Sequence, residues 1–128
     1  MTITRHGITK ATEGLPTIPV VPIISRVVVR DDTVYVCGIT ANPFGAGDVR
    51  TQTKEVLDTI DRLLQTAGTD KSKLLTAQVW LSDMSLFEAH NAVWKEWVDP
   101  ENPPVRACVR ADLWYPNLLV EIMVTAAK

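Results

Sequence analysis

Three polar residues stand where the surrounding pattern is apolar, and they are the first candidates for chemistry. Arg106 follows Pro103-Pro104-Val105 at the start of a strand-like run, Glu121 lies between Val120 and Ile122, and Asn91 falls on the apolar side of a helical repeat. An Arg and a Glu in such places admit two readings. Either they form a structural ion pair or turn to solvent at strand ends, or the guanidinium fork receives a planar carboxylate in bidentate fashion while the glutamate handles protons or water. The prolines stiffen the chain entering the strand and can aim the Arg106 side chain. Cys37 and Cys108 are the candidate nucleophiles. Each stands in an apolar strand with no adjacent His or Lys, which suits a small buried thiol, and both are expected to be free.

Other chemistries lack their motifs. His6 and His90 are far apart, and neither Cys-x-x-Cys nor His-Glu-x-x-His occurs, so no metal site is expected. No Gly-x-Ser-x-Gly elbow is present. Gly45-Ala46-Gly47 sits between a strand and a helix, as a phosphate loop would. Gly-x-Gly-x-x-Gly fails at Arg50, however, and no Gly-Lys-Ser/Thr follows.

The elements that must position these residues follow from periodicity. Met1 to Arg5 reads as a short edge strand. Prolines 16, 19 and 22 recur every third residue, which suits a polyproline II segment. The apolar residues between them favour an arm packed on its own protein or a neighbouring subunit over a ligand for an SH3-like partner. Ser25–Arg30 and Thr33–Gly38, separated by Asp31-Asp32, form a hairpin. Asn42 to Gly47 is a loop. Val56, Ile60, Leu63, Leu64 and Ala67 make one helical stripe between a cap at Asp48 and a left-handed Gly68, opposite a polar face with Lys54, Asp58 and Arg62. Leu75, Ala77, Val79 and Leu81 alternate as a strand. Ser85 and Glu88 form a capping box for a second helix running to about Trp97, with Phe87, Asn91, Trp94 and Val98 on one face. Val105–Ala111 and Leu119–Ala126 are two further strands.

Two helices of this length cover only one face of such a sheet, so the other face must meet something else; in a chain of 128 residues that is a further copy of the chain. The length fits one domain spanning residues 1–128. A formal net charge of -2 with no run of Lys or Arg argues against a nucleic-acid partner. The longest apolar stretch, Ile18 to Ile24, is broken by Pro19 and Pro22 and is too short to span a bilayer. With two cysteines and no secretory leader pattern, a cytoplasmic protein without membrane contact is expected.

Pro104-Val-Arg106-Ala-Cys108-Val resembles the RidA/YjgF signature Pro-Ala-Arg-Ser-Cys-Val, and Val120-Glu121-Ile122 with Ala126 resembles that family's closing strand. Gly38, Val56-Leu57 through Ala67-Gly68, Leu81-Ser-Asp83-Met84, Phe87 and Asn91 extend the resemblance over roughly residues 26 to 128. Trp94-Lys-Glu-Trp97 and Pro104-Val-Arg106 look closer to a YoaB-like branch than to RidA itself. The resemblance implies a chorismate-mutase-like α+β fold, with a mixed β-sheet, two helices packed on one face, and a homotrimer with three intersubunit clefts. It also implies hydrolysis of reactive 2-imino or 2-enamino acids to 2-keto acids and ammonia, without a cofactor. Arg106 would hold the substrate carboxylate and Glu121 would position or activate water. Gly38, Asn91 and the backbone at Cys108 would line the cleft.

One departure bears on activity. RidA proteins carry Gly-Pro-Tyr ahead of the first hairpin, where this chain has Val21-Pro22-Ile23-Ile24. The missing phenol leaves a more apolar pocket and removes a hydrogen bond worth about 1 to 3 kcal/mol. A non-catalytic protein that binds small carboxylates on the same fold therefore stays open beside the deaminase. A ribonuclease or translation inhibitor, also attached to this superfamily, is disfavoured by the acidic charge balance.

Overall fold

The computed structural model describes residues 1–9 and 22–128; most of the proline-rich arm, at 10–21, lies outside the described residues. Strands β1 (Ile3–His6), β2 (Val27–Arg30) and β3 (Thr33–Val36) run antiparallel in succession. Asp31 makes the β2–β3 turn with φ 50°, a left-handed conformation that Asp tolerates better than most residues. A two-residue strand, β4 (Ile39–Thr40), leads through a loop to α1 (Val49–Thr66). Then come β5 (Leu74–Leu81), α2 (Phe87–Trp97), β6 (Val105–Arg110) and β7 (Val120–Ala127). All seven strands join one sheet in the order β1-β2-β3-β7-β5-β6, with β4 also on β7. Only the β5–β6 pair, linked by α2, is parallel, as a helical crossover requires. The fold is thus α+β with a mixed sheet, as expected, with β4 as an addition too short to carry a periodic signal. No helix among the described residues is long and apolar enough to cross a membrane.

Among the described residues, one face of this sheet is covered and the other is open. On β7, Val120, Ile122, Val124 and Ala126 are buried while Glu121, Met123 and Thr125 alternate with them. The buried set packs with Val27, Val34, Val36, Val79 and Leu81 against the α1 stripe of Val56, Leu57, Ile60 and Leu64. The opposite face carries Tyr35, Val105, Val109 and Met123, all substantially exposed, Val105 at 71%. Cys37 and Cys108 are both free thiols.

Three local expectations need correction. Leu75 does not join Ala77, Val79 and Leu81 inside: the register shifts between Leu74 and Thr76, so Leu74 is buried and Leu75 is 46% exposed. Leu63 is only partly buried, and Leu57 takes a full place in the core. The Ser85–Glu88 capping box does not form. Asp83 accepts from the Ser85 amide at 2.8 Å two residues earlier, and a 3-10 turn (Met84–Leu86) runs directly into α2. The preceding turn supplies the partner that a cap would have supplied, since the Phe87 amide donates to the Met84 carbonyl.

The α1 termini follow the expected signals. The Asp48 carboxylate accepts from the Thr51 amide at 2.9 Å, and Gly68 takes φ 82° just past the C-cap Ala67. A Cβ at Gly68 would find ordinary space, its nearest neighbour being Lys128 Cε at 3.7 Å, so the cost of Gly68→Ala is conformational. That substitution should lower the unfolding free energy in urea titration by about 1 to 2 kcal/mol, with no change in the far-ultraviolet circular dichroism of the folded state.

Candidate functional site

Arg106 is the second residue of the edge strand β6, opposite Ala77 of β5. Ala77 faces the helices, and so does Arg106, which reaches the side of α2. There its Nη2 donates to Asn91 Oδ1 at 2.8 Å, and its Nη1 stands 3.5 Å from His90 Nε2. Its guanidinium carbon lies 4.9 Å from the Trp94 ring centre and 6.0 Å from that of Phe87. These aromatic rings flank the guanidinium and favour an approach of a further ligand along its edge. Among the described residues its hydrogen-bond partners are neutral. Two of its five N–H donors are used, and three remain for a ligand. Thr76, Gln78, Val105 and Ala107 alternate with Ala77 and Arg106, and these six residues line an open hollow of about 360 Å³ on the open face of the sheet, away from the side on which the guanidinium meets α2.

His90 is completely buried, and its Nδ1 lies 3.1 Å from Thr53 Oγ1 of α1. An arginine can only donate, so His90 Nε2 must be the lone-pair nitrogen and Nδ1 must carry the proton. Burial, with the Arg106 charge adding to it, lowers the His90 pKa from 6.5 to about 4. The imidazole is therefore neutral at physiological pH.

Glu121 lies elsewhere. It pairs with Trp80 of β5 and Thr40 of β4 and points to the open face. Its carboxylate fills the space beside Gly38, where a Cβ would overlap it. Burial raises the Glu121 pKa above the ordinary carboxylate value. The ion pair between Arg106 and Glu121 considered from the sequence is ruled out within one chain, because strand β5 separates the two residues and their side chains leave opposite faces. Burial pushes the Cys37 thiol's pKa up, and the positive charge of Arg26 offsets this in part. Cys108 stands two residues along from Arg106, opposite Val79, and burial raises its pKa as well. Neither thiol is an activated nucleophile.

Of the five residues singled out, the fold brings Arg106, Asn91 and Cys108 to the β6–α2 edge, and Gly38 and Glu121 together on the open face. Sequence reasoning missed His90, Thr53 and Arg26. A signal for the first two existed. Phe87, His90 and Trp94 recur at i, i+3 and i+7, and Thr53 falls in the Val49–Val56–Ile60 stripe, so each is a polar residue inside an apolar helix face. No cluster of three His, Cys, Asp or Glu side chains that could hold a metal occurs among the described residues.

Fold and site define a small α+β protein with a half-buried guanidinium, held by neutral partners, at the parallel edge of a mixed sheet. The chain belongs to the RidA/YjgF family: residues 19–128 match the family model described as Endoribonuclease L-PSP. A RutC family protein of Haemophilus influenzae is 41% identical over 103 residues, covering 80% of this chain and 89% of the relative. The RutC family protein YoaB of Escherichia coli is 38% identical over the same shares. The crystal structure of a YjgF family member from Neisseria meningitidis superposes with a TM-score of 0.87 at 34% identity, covering 100% of this chain and 96% of the other.

Protonation of His90 couples this site to stability. The native pKa of about 4 lies below the unfolded 6.5, so the unfolded chain binds the extra proton between these values and folding weakens as pH falls through that window. Unfolding free energies from urea titration at pH 7 and pH 4.5 should differ by roughly 2 to 3 kcal/mol more in the wild type than in His90→Gln. Parallel pH profiles for the two proteins would remove His90 as the cause.

Proposed function

We propose that this chain binds a small 2-oxo or 2-imino carboxylate through Arg106 and hydrolyses 2-imino and 2-enamino acids to 2-keto acids and ammonia, in a cleft completed by another copy of the chain. The observation that carries the reading is the half-buried guanidinium whose hydrogen-bond partners among the described residues are all neutral. A cation kept at a low-dielectric edge without a counter-ion holds strong attraction in reserve for an anion. Its flat fork matches the flat carboxylate.

The chemistry asks little more than placement. Water adds to C2 of the imine, the C2–N bond breaks, and nitrogen leaves as ammonia while C2 keeps the oxygen as a ketone. An enamine first takes a proton at C3 to become the imine. No oxidant or reductant is consumed. Fixing the acid group and one water lowers the entropic part of the barrier. Glu121, with its raised pKa, is suited to deliver and accept the protons of water addition and ammonia departure.

Two features favour a shared cleft. The apolar open face, with Tyr35, Val105, Val109 and Met123 exposed, is costly in water. Arg106 and Glu121 face opposite ways in one chain, so a single ligand meets both only where copies abut. A homotrimer meets both needs. The non-catalytic alternative draws on the Val21-Pro22-Ile23 segment, which lacks the tyrosine of RidA proteins. The ribonuclease activity in the family model's description is disfavoured by the net charge of -2 and the absence of a basic run.

Light scattering should give a trimer at micromolar concentration for the wild type, Arg106→Lys and Arg106→Ala. Calorimetric titration with pyruvate or 2-oxobutanoate should show binding to the wild type. That binding should fall sharply in the Lys variant and by about 1.5 to 3 kcal/mol or more in the Ala variant. Freshly generated 2-iminobutanoate should release ammonia faster with the wild type than without protein. Unchanged keto acid affinity in an intact Arg106→Ala trimer would defeat the anchor role. Binding without ammonia release would leave the carrier reading.

A further inference from the structure

The proposed carboxylate site accounts for Arg106 but leaves unexplained a wholly buried imidazole directly behind it. Burying a neutral histidine is no hardship if both ring nitrogens find partners. A core role alone would be met by Thr53 on one side and an apolar neighbour on the other. Here the second nitrogen is instead turned to the guanidinium at 3.5 Å. With a proton on Nε2, two donors would face each other there, which costs more than either leaving. With Nε2 bare, the imidazole and Asn91 become two acceptors on the terminal nitrogens of one guanidinium.

That pair of acceptors does something that a carboxylate in the same place would not. A buried Glu or Asp behind Arg106 would orient it equally well but would also neutralise it, and an incoming anion would have to compete with an internal one. A neutral acceptor fixes direction and leaves the charge. The chain of contacts runs from α1 through the site: Thr53 Oγ1 to His90 Nδ1 at 3.1 Å, His90 Nε2 to Arg106 Nη1, and Arg106 Nη2 to Asn91 Oδ1. Thr53 and His90 are both fully buried, so neither exchanges this partner for bulk water.

We infer that His90, held as its Nδ1–H tautomer by Thr53, is a positioning residue that aims the Arg106 guanidinium at the ligand without discharging it. This rests on the carboxylate reading of the site for its consequence, though not for its geometry. It makes the α1–α2 packing at Thr53–His90 part of the affinity for the ligand. Glutamine is the conservative replacement, because its terminal amide oxygen can reach the place of Nε2 and accept from Nη1. Leucine fills similar space and accepts nothing.

Two measurements test it. In the unliganded trimer, long-range ¹⁵N correlation spectra should show His90 with a protonated Nδ1 and a bare Nε2, and the Arg106 terminal nitrogens should resolve separately because their rotation is restrained. In His90→Leu the Arg106 nitrogens should average. A protonated Nε2, or an Arg106 equally restrained in the Leu variant, would overturn the inference whatever ligand the protein takes. In calorimetry with 2-oxobutanoate, His90→Leu should bind about tenfold or more weakly, while His90→Gln recovers most of the affinity at an equal melting temperature. Equal losses in both variants, or none in Leu, would reduce His90 to a packing residue while leaving the role of Arg106 intact. If the wild type binds no 2-oxo acid, the carboxylate reading fails, and the spectra alone decide whether His90 holds Arg106. Should the Leu variant not fold, the wild-type tautomer and the His90→Gln affinity still decide.

Discussion

Among the described residues two α-helices lie on one side of seven strands, and most of what is distinctive here follows from that asymmetry. Successive residues of a strand point to opposite faces. Each strand therefore sends one set of side chains into a packed core and the other to a surface that no helix among the described residues covers. The covered set on β7 is fully apolar. The uncovered set is mixed: aromatic and aliphatic side chains that are costly in water lie beside Glu121, whose carboxylate nests against Gly38. The same alternation on β6 turns Arg106 inward towards α2 and Val105 and Val109 outward. Two groups that look like natural partners in the sequence are thus sent to different faces by the pleat itself.

The β6–α2 edge shows how a fold can hold a positive charge without cancelling it. Arg106 has acceptors from an amide and an imidazole and aromatic rings beside it. None of these carries negative charge, and the imidazole is kept neutral by its own burial. Isolation from solvent strengthens whatever electrostatic attraction remains, so the side chain is both oriented and available. Glu121 shows the complementary strategy. Its burial favours the protonated acid and lifts its pKa. A cation held by neutral partners and a carboxyl group whose pKa burial raises are the two charged features of this sheet that packing alone leaves unexplained.

Family membership and chemistry are separate conclusions. Relatives at 41% and 38% identity and a structure at TM-score 0.87 define the family and the fold. The names of these relatives speak of family membership, and the family model's description speaks of an endoribonuclease. Function has to be argued from the site. The site offers one oriented guanidinium with neutral partners, whereas RNA binding would draw on an extended basic track.

Much of this was legible in the residues alone, because local physics decides it. The α1 stripe, the Asp48 cap and the left-handed Gly68 are read from spacing and from the conformational freedom of one residue type. The alternation of β5 and β7 and the β2–β3 hairpin follow from β-branched runs and a two-residue turn. Arg106, Asn91 and Glu121 stood out as polar residues in apolar surroundings. Tertiary structure alone decided what they touch. Periodicity gives the face of each element but not which faces meet, so the Arg106–His90–Thr53 line, spanning three elements, had no sequence signature beyond a buried-looking histidine. The bulge that expels Leu75 and the 3-10 turn that displaces the Ser85 cap depend on how β5 pairs with β7 and how α2 is entered. The separation of Arg106 from Glu121 required the strand order, in which β5 comes between two strands that follow one another in the chain. A sequence records neighbours along one dimension; the sheet order that sets neighbours across strands emerges only when long-range pairing is chosen by burial of all the elements at once.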